Sequence, residues 1–249
     1  KAAGLNCAIF FDSTSFYIKE KLLEEGIPFV LKDKQVYLPF IGYLLSNENE
    51  RKISPVHLIS FLTQKVILVA IYEKWENVTA SKAAIRLGVT KMSANRCFDE
   101  IEYLNVDILG MKGKSRVITV PADIQKLWND VRVILRNPVI ARYELKEDIQ
   151  LGKKAGITAL CEYSLLSDNE YPTYAITKKE ITESGIRKMK QVHSGEEIGC
   201  VVLELGYFID FKNKKLEDPL SVTLSLTESE KQDERIGISI KRMLEEYVW

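Results

Sequence analysis

Near the middle of the 249-residue chain, five residues carry side chains that suit contacts with the edges of nucleic-acid bases. Arginine pairs bidentately with guanine and asparagine with adenine, lysine and serine reach bases or phosphates, and methionine meets a thymine methyl group. All five lie in the stretch VTASKAAIRLGVTKMSANRCFDEIEYL, residues 78–104: Lys91, Met92, Ser93, Asn95 and Arg96. At helical spacing they point away from the apolar side chains of this stretch. The residue types therefore predict a helix whose outer face reads double-stranded DNA.

The rest of this stretch is typical of a helix-turn-helix, in which two short helices cross at a steep angle. Such a pair needs a small residue at the contact, here Ala84, and a glycine in the turn, here Gly88. The second helix has an apolar inward stripe, which consists of Ala94, Cys97, Phe98, Ile101 and Leu104. Thr90 is suited to cap this second helix. We predict that the second helix reads bases, that the helix beginning at Thr79 supports docking on the DNA backbone, and that Thr79, Lys82 and Thr90 belong to the DNA-binding surface.

A basic hairpin is expected directly after the helix pair. The segment VDILGMKGKSRVITVP, residues 106–121, has two apolar runs that favour strands around a tip at Gly110–Gly113. The tip carries three cations: Lys112, Lys114 and Arg116. A winged-helix protein has its wing at this place in the chain, so we predict that these three side chains contact phosphates or the minor groove.

A long, mostly buried helix is expected before the helix pair, in SPVHLISFLTQKVILVAIYEKW. Ser54 suits the N-cap, Pro55 suits the first helical position, and the helix should end near Trp75. A long helix, two short helices and a basic hairpin follow one another in winged-helix order.

The net charge of zero conceals an uneven distribution along the chain. Residues 51–120 contain eleven Lys or Arg against six Asp or Glu, a net charge of +5. Residues 195–249 contain seven against twelve, a net charge of −5. A polyanion is attracted to the first segment and repelled by the second, although an uneven solvated surface also produces such a pattern.

The flanking segments predict an α+β protein with three parts. Residues 1–50 read as a small α/β extension with a helix ending at Gly26 and a hairpin around residues 32–34. Residues 51–120 are the predicted central winged helix-turn-helix domain. Residues 121–249 are the predicted C-terminal α/β domain, with a helix over 121–135, a strong strand over 198–211 and a final helix from Thr227.

Residues 54–120 resemble the DNA-reading part of bacterial winged-helix transcriptional regulators, including the MarR-like group. The resemblance rests on the quoted stretch and implies recognition by the second short helix, at Lys91, Met92, Ser93, Asn95 and Arg96. A MarR-like regulator is much shorter, so this family leaves residues 121–249 unexplained. Regulators of palindromic operators bind as dimers, and the helix over 121–135 and the last helix are the candidate carriers of a homodimer.

Three further segments are similar to regulators of the AbiEi antitoxin type: IPFVLKDKQVYLPFIG, AGITALCEYSLL and LEDPLSVTLSLTESEKQDERIGISIKRMLEEYVW. This resemblance implies autoregulation of an operon and a partner protein, a toxin, for the acidic C-terminal domain. The DPLS motif within the last segment also reads simply as the turn that begins a helix.

An enzyme is the main alternative. The phosphate-loop, GxGxxG, GxSxG and HExxH motifs are absent from the sequence, and His57 and His193 have structural or surface explanations. One group of charged residues near the strongest strand suits a divalent metal and phosphodiester cleavage: Glu204, Asp210, Lys212, Glu217 and Asp218. A metal-dependent nuclease and a module that binds only other proteins therefore stay open, but we predict no catalytic residue, metal or cofactor.

The sequence favours a cytoplasmic location. The longest apolar run, Val66–Tyr72, is far too short to span a membrane, and no signal peptide is recognisable. Four widely separated cysteines without a CxxC pair are typical of reduced structural thiols.

Overall fold

A computed structural model describes residues 6–14, 16–32, 35–46, 58–167, 171–193, 195–212 and 215–249, and it shows an α+β protein. The N-terminal part is a four-stranded sheet and one helix, as follows: β1 (Ile9–Phe11), α1 (Phe16–Glu24), β2 (Phe29–Leu31), β3 (Gln35–Leu38) and β4 (Tyr43–Ser46). The strands lie in sequence order, with β1 parallel to β2 and the others antiparallel. The predicted helix and hairpin are confirmed, and Gly26 has the expected left-handed conformation with a φ of 64°. A small core of its own holds this part together, with Leu22, Phe29 and Leu31 buried.

The central part contains three helices and a hairpin in the predicted order, although α4 is as long as α2, at 13 residues, and only α3, at 8 residues, is short. Its elements are α2 (Phe61–Glu73), β5 (Val78–Thr79), α3 (Ala80–Leu87), α4 (Lys91–Tyr103), β6 (Leu109–Lys112) and β7 (Ser115–Ile118). The short strand β5 was not predicted. It pairs with β7 and so converts the hairpin into a three-stranded antiparallel sheet in the order β5-β7-β6.

The predicted start of α2 is wrong. Ser54, Pro55 and His57 lie outside the described residues, but the helix begins only at Phe61 because Ser60 caps it. The Ser60 Oγ accepts a hydrogen bond from the Thr63 N–H at 3.2 Å. Ser54 and Ser60 offer the same capping chemistry, so the local pattern did not distinguish them.

The C-terminal part is a mixed four-stranded sheet surrounded by helices. Its elements are α5 (Ile124–Val131), β8 (Val139–Leu145), β9 (Lys153–Lys154), α6 (Gly156–Tyr163), β10 (Thr173–Ile176), α7 (Lys178–Ser184), β11 (Cys200–Leu205), α8 (Pro219–Ser225), α9 (Glu228–Lys231) and α10 (Glu234–Tyr247). The strand order is β8-β11-β10-β9, and β10 is parallel to β11 while the other pairs are antiparallel.

Three predicted boundaries in this part are wrong. The helix predicted over 121–135 ends at Val131. The strand predicted over 198–211 ends at Leu205, because the pairing with β8 shifts there and the backbone of Gly206 lies against the ring of Phe61, where a Cβ atom would be 2.4 Å from Cγ. The final helix is interrupted after Lys231, since a new N-cap at Asp233 starts α10.

One buried apolar core joins the central and C-terminal parts. It includes Phe98 and Ile101 from α4, Leu127 from α5, Leu220 from α8 and Leu244 from α10. The core therefore continues across the predicted boundary between residues 120 and 121, and that division into separate folding units stays a prediction.

Helix α2 is also tied to the C-terminal part by polar contacts. The Gln64 side chain forms two hydrogen bonds with the backbone of Arg136: its Nε2 donates to the carbonyl at 2.8 Å and its Oε1 accepts from the N–H at 2.9 Å. The same Nε2 donates to the Tyr207 hydroxyl at 2.9 Å. Eight residues further along α2, the Tyr72 hydroxyl donates to Asp218 Oδ1 at 2.6 Å and accepts from the Leu220 N–H at 2.8 Å. These contacts fix both ends of α2 against the C-terminal part.

Two neighbouring carboxyl groups, Glu217 and Asp218, are buried at this junction. Asp218 caps α8 by accepting from the Ser221 N–H, as the DPLS motif predicted. The Glu217 Oε2 accepts from the Gly156 N–H at 3.0 Å and from the Ser225 hydroxyl at 3.2 Å, while its buried Oε1 has no hydrogen-bond partner. Burial raises the pKa of Glu217 to about 8 and also raises the pKa of Asp218. Glu217 is consequently protonated in the folded protein at neutral pH.

Within the described ranges, no helix is both long and apolar enough to cross a bilayer.

We expect Glu217→Gln to flatten the pH dependence of stability. The pKa of Glu217 is about 8 in the folded protein and near the ordinary value of about 4.3 in the unfolded chain, so unfolding releases a proton between these pH values. The free energy of unfolding should therefore fall as the pH rises through this window, by up to about 1.4 kcal/mol per pH unit from this group. Glutamine has no such proton. Urea unfolding at intervals from pH 5.5 to 8.5 measures the two slopes.

The matched control is Glu234→Gln, which removes an exposed carboxyl from the first turn of α10. This variant should keep the wild-type slope. Equal slopes for wild type and Glu217→Gln would contradict the assignment of a buried proton to Glu217.

Candidate nucleic-acid interface

The turn between α3 and α4 sets the angle of the helix pair. Gly88 has a left-handed backbone with a φ of 65°, and its N–H donates to the Ile85 carbonyl at 3.3 Å. The Val89 N–H donates to the Ala84 carbonyl at 3.0 Å, which ends α3. The predicted small residue Ala84 is buried together with Ala83, so the two helices pack closely at this point.

Helix α4 is held by its cap and its apolar face. The Thr90 Oγ1 accepts from the Ser93 N–H at 3.1 Å and lies 2.9 Å from the Ser93 Oγ. The predicted inward side chains Ala94, Cys97, Phe98 and Ile101 are buried. Burial also raises the pKa of the Cys97 thiol to about 11, so this cysteine is a protonated core residue. The cap and the core leave the opposite face of α4 to solvent.

The predicted base-reading residues come together on the first half of α4. Lys91, Met92 and Arg96 are exposed, and Ser93 and Asn95 are partly exposed. Met92 is the most notable, because 67% of this large apolar side chain is exposed. An Arg96 Nη2 atom lies 3.9 Å from the Met92 Sδ, so the two side chains share one patch. This patch combines a cation, an amide and an apolar group on the surface of one helix.

Thr79 and Lys82, the residues predicted to contact the DNA backbone from α3, differ in their surroundings. Thr79 caps α3, since its Oγ1 accepts from the Lys82 N–H at 3.4 Å, and Lys82 itself is exposed. Arg86, which was not predicted, is also on this helix, but its Nε donates to Glu73 Oε1 at 2.6 Å. Of the two α3 cations, Arg86 is thus paired with Glu73, and Lys82 is exposed to solvent.

The hairpin presents two of its three predicted cations. Lys112 and Lys114 are exposed on either side of Gly113, whose φ of 61° forms the tip. Arg116 is different: its Nη1 lies 2.7 Å from Asp99 Oδ1 and 2.9 Å from Glu102 Oε2 on α4. The guanidinium of Arg116 is thus paired with two carboxylates of α4, and its predicted contact with phosphate stays a prediction. The pairing of Asp99 and Glu102 with Arg116 was not predicted from the sequence. The one signal in the sequence is that these two acidic residues lie three positions apart on a helix within a basic segment.

The carboxylates considered for a metal-dependent nuclease do not form one group. Glu204 is buried and accepts from the Tyr143 hydroxyl at 3.3 Å and from Arg187 Nη2 at 3.2 Å. Asp210 lies beyond the end of β11 and is exposed, with its Oδ1 3.5 Å from Lys153 Nζ, so it is not part of the strand that carries Glu204.

The remaining residues of this group have other environments. Glu217 and Asp218 are buried at the α2 junction, and Lys212 lies near the ring of Phe211. His193 is exposed, as expected. Among the described residues, no three His, Cys, Asp or Glu side chains are arranged to hold a metal ion.

Comparison with protein-family models, curated proteins and solved structures found no match to this chain. The MarR-like and AbiEi-like resemblances therefore stay predictions from the quoted motifs.

We expect Gly88→Ala to destabilise the protein by about 1 kcal/mol, because a side chain at φ 65° strains the backbone. No atom lies within 4 Å of the added Cβ, so the backbone conformation alone carries the cost. Gly88→Asn should cost less, since asparagine tolerates this conformation. Chemical denaturation measures the free energy of unfolding for each variant.

Gly110→Ala is the matched control. Gly110 is an exposed hairpin glycine that also has open space around its Cβ position but has no left-handed φ. If Gly88→Ala and Gly110→Ala were equally stable, the turn would not depend on the left-handed conformation.

Proposed function

We propose that this protein binds double-stranded DNA sequence-specifically and acts as a transcriptional regulator, with α2 to β7 forming a winged helix-turn-helix. The observation that carries the proposal is the patch on the first half of α4, where Lys91, Met92, Asn95 and Arg96 share one solvent-facing surface. The N-terminal part of a recognition helix makes most of the base contacts in such domains.

The dimensions and chemistry of α4 support this role. The helix has 13 residues, which corresponds to a length of about 20 Å, and a single α-helix fits the major groove. Arg96 suits guanine, Asn95 suits adenine, and the exposed Met92 suits a thymine methyl group. Core residues occupy the opposite face of α4, so docking needs no rearrangement of the apolar packing.

The proposed backbone contacts come from the neighbouring elements. Lys82 on α3 and Lys112 and Lys114 on the hairpin are exposed cations, and the segment that contains them has a net charge of +5. Cations of this kind contribute affinity that depends on salt and not on sequence. Thr79 and Thr90 support the site by capping α3 and α4, and Ser93 donates its N–H to the Thr90 Oγ1.

Two further expectations belong to the proposal. A palindromic operator calls for a homodimer, with α5 and α10 as its candidate carriers. These helices bury most of their apolar residues in the core of the same chain, whereas Ile238 on α10 is 63% exposed. The AbiEi-like resemblance suggests a protein partner, a toxin, for the C-terminal part, in a cytoplasmic regulator of its own operon.

The proposal is tested by selecting bound duplexes from a random-sequence pool with the full-length protein. Wild type should enrich one motif in EDTA, and Asn95→Ala/Arg96→Ala should lose it because both base-pairing side chains are removed. The matched control is Lys241→Ala/Arg242→Ala on the exposed face of α10, which should enrich the wild-type motif.

No enrichment with wild type would contradict sequence-specific binding. The same incubation with magnesium tests the nuclease alternative, which predicts cleavage of the duplexes under that condition alone.

Arg96→Ala should weaken binding to the selected duplex by about 1–3 kcal/mol and relax the preference at one base pair, because one bidentate contact is lost. Competition binding against duplexes substituted at each position measures this. A uniform loss over all duplexes would place Arg96 on the backbone instead of a base.

Lys114→Ala should weaken binding to every duplex alike and reduce the slope of log affinity against log salt by about 1, since one phosphate contact is lost. Lys126→Ala, which removes an exposed lysine from α5, is the control and should leave the slope unchanged. A sequence-dependent effect of Lys114→Ala would contradict a purely electrostatic role for the hairpin tip.

A further inference from the structure

The outer half of the hairpin has little support from the sheet. Strand β5 pairs with β7 only through Val117 and Ile118. Toward the tip, the hairpin is two-stranded, with Met111 opposite Arg116 and Lys112 opposite Ser115. A two-stranded hairpin is only marginally stable in water. Another interaction must therefore hold the tip in a defined position relative to α4.

Arg116 supplies that interaction. Within the fully described segment 110–116, every residue is exposed except Arg116. Its Nη1 contacts both Asp99 Oδ1 at 2.7 Å and Glu102 Oε2 at 2.9 Å, and its Cζ lies 6.0 Å from the centre of the Phe98 ring. Asp99 and Glu102 are three residues apart on α4, so one guanidinium reaches both of them.

Burial makes this ion pair costly to break. The Glu102 side chain is only 7% exposed, and its Oε1 is buried without a hydrogen-bond partner. If the hairpin swung away from α4, Glu102 would lose its cation while still largely buried, which is strongly unfavourable. Asp99 and Glu102 lie on a helix that is proposed to approach a polyanion, which repels carboxylates. The positive charge of Arg116 offsets this repulsion.

We propose that Arg116, Asp99 and Glu102 are positioning residues that hold the Lys112 and Lys114 tip at one fixed place relative to the base-reading half of α4. Arg116 itself makes no phosphate contact. This inference rests on the proposed DNA binding, because it explains how α4 and the hairpin tip contact the same duplex at a fixed distance from each other. A phosphate contact by Arg116 is the opposing assignment.

The first test needs no DNA. Hydrogen exchange of the full-length protein should show faster exchange at residues 110–116 in Arg116→Gln and in Asp99→Asn/Glu102→Gln, with unchanged exchange in α2. Lys114→Gln removes an exposed cation from the same hairpin and should leave the exchange unchanged. Unchanged hairpin exchange in Arg116→Gln, or an equal increase in α2 and the hairpin, would overturn the proposal.

The second test uses the salt dependence of binding to the selected duplex. Arg116→Gln should lower the affinity several-fold without changing the slope of log affinity against log salt, whereas Lys114→Gln should reduce the slope. Arg116→Lys keeps the charge but not the guanidinium geometry and should give an intermediate affinity. A slope reduced by Arg116→Gln as much as by Lys114→Gln would show a phosphate contact and overturn the positioning role.

The two tests separate the two proposals. If wild type bound no duplex, the proposed function would fail, yet the exchange measurement would still decide whether Arg116 holds the hairpin.

Discussion

The burial of α2 is the constraint on which the rest of the structure depends. This helix is apolar over most of its circumference, and Val66, Ile67, Leu68, Val69 and Ile71 are all buried. A helix that is apolar all round must be covered on every side. Helix α4 covers one side, and the C-terminal part covers the other. The central part is therefore built into the C-terminal part through a shared core.

Polar contacts give this packing a single arrangement. Apolar surfaces alone tolerate sliding, but Gln64 and Tyr72 each form hydrogen bonds of defined geometry with the C-terminal part. Of their partners, Tyr207, Asp218 and Leu220 are buried, so a shifted helix would leave these groups unpaired at considerable cost. The same junction contains the buried Glu217, whose pKa is raised by burial. Because α4 packs on α2, the proposed DNA-reading surface depends on this junction as well.

The helix pair could be predicted because its cap and turn depend on residues that are close in the sequence. Contacts between distant segments of the chain could not be predicted in this way. Thr90 and Gly88 act within a few residues of themselves, so their types alone indicated a cap and a turn. The role of Arg116 depends on carboxylates 14 and 17 positions earlier in the chain, and a basic hairpin tip gave no sign of them. The end of β11 depends on Phe61 lying against Gly206, a contact between distant segments. The patch on α4 was predicted from residue types, while its exposure needed the structure.

Photo-crosslinking from α4 tests the central claim most directly. A photoreactive phenylalanine analogue replaces Met92 in one protein and Ile238 on α10 in another, since these apolar side chains are 67% and 63% exposed. We expect crosslinks to DNA bases from position 92 and none from position 238, because only α4 is proposed to enter the major groove. Equal yields at both positions, or no crosslink from position 92, would contradict α4 as the helix that reads DNA.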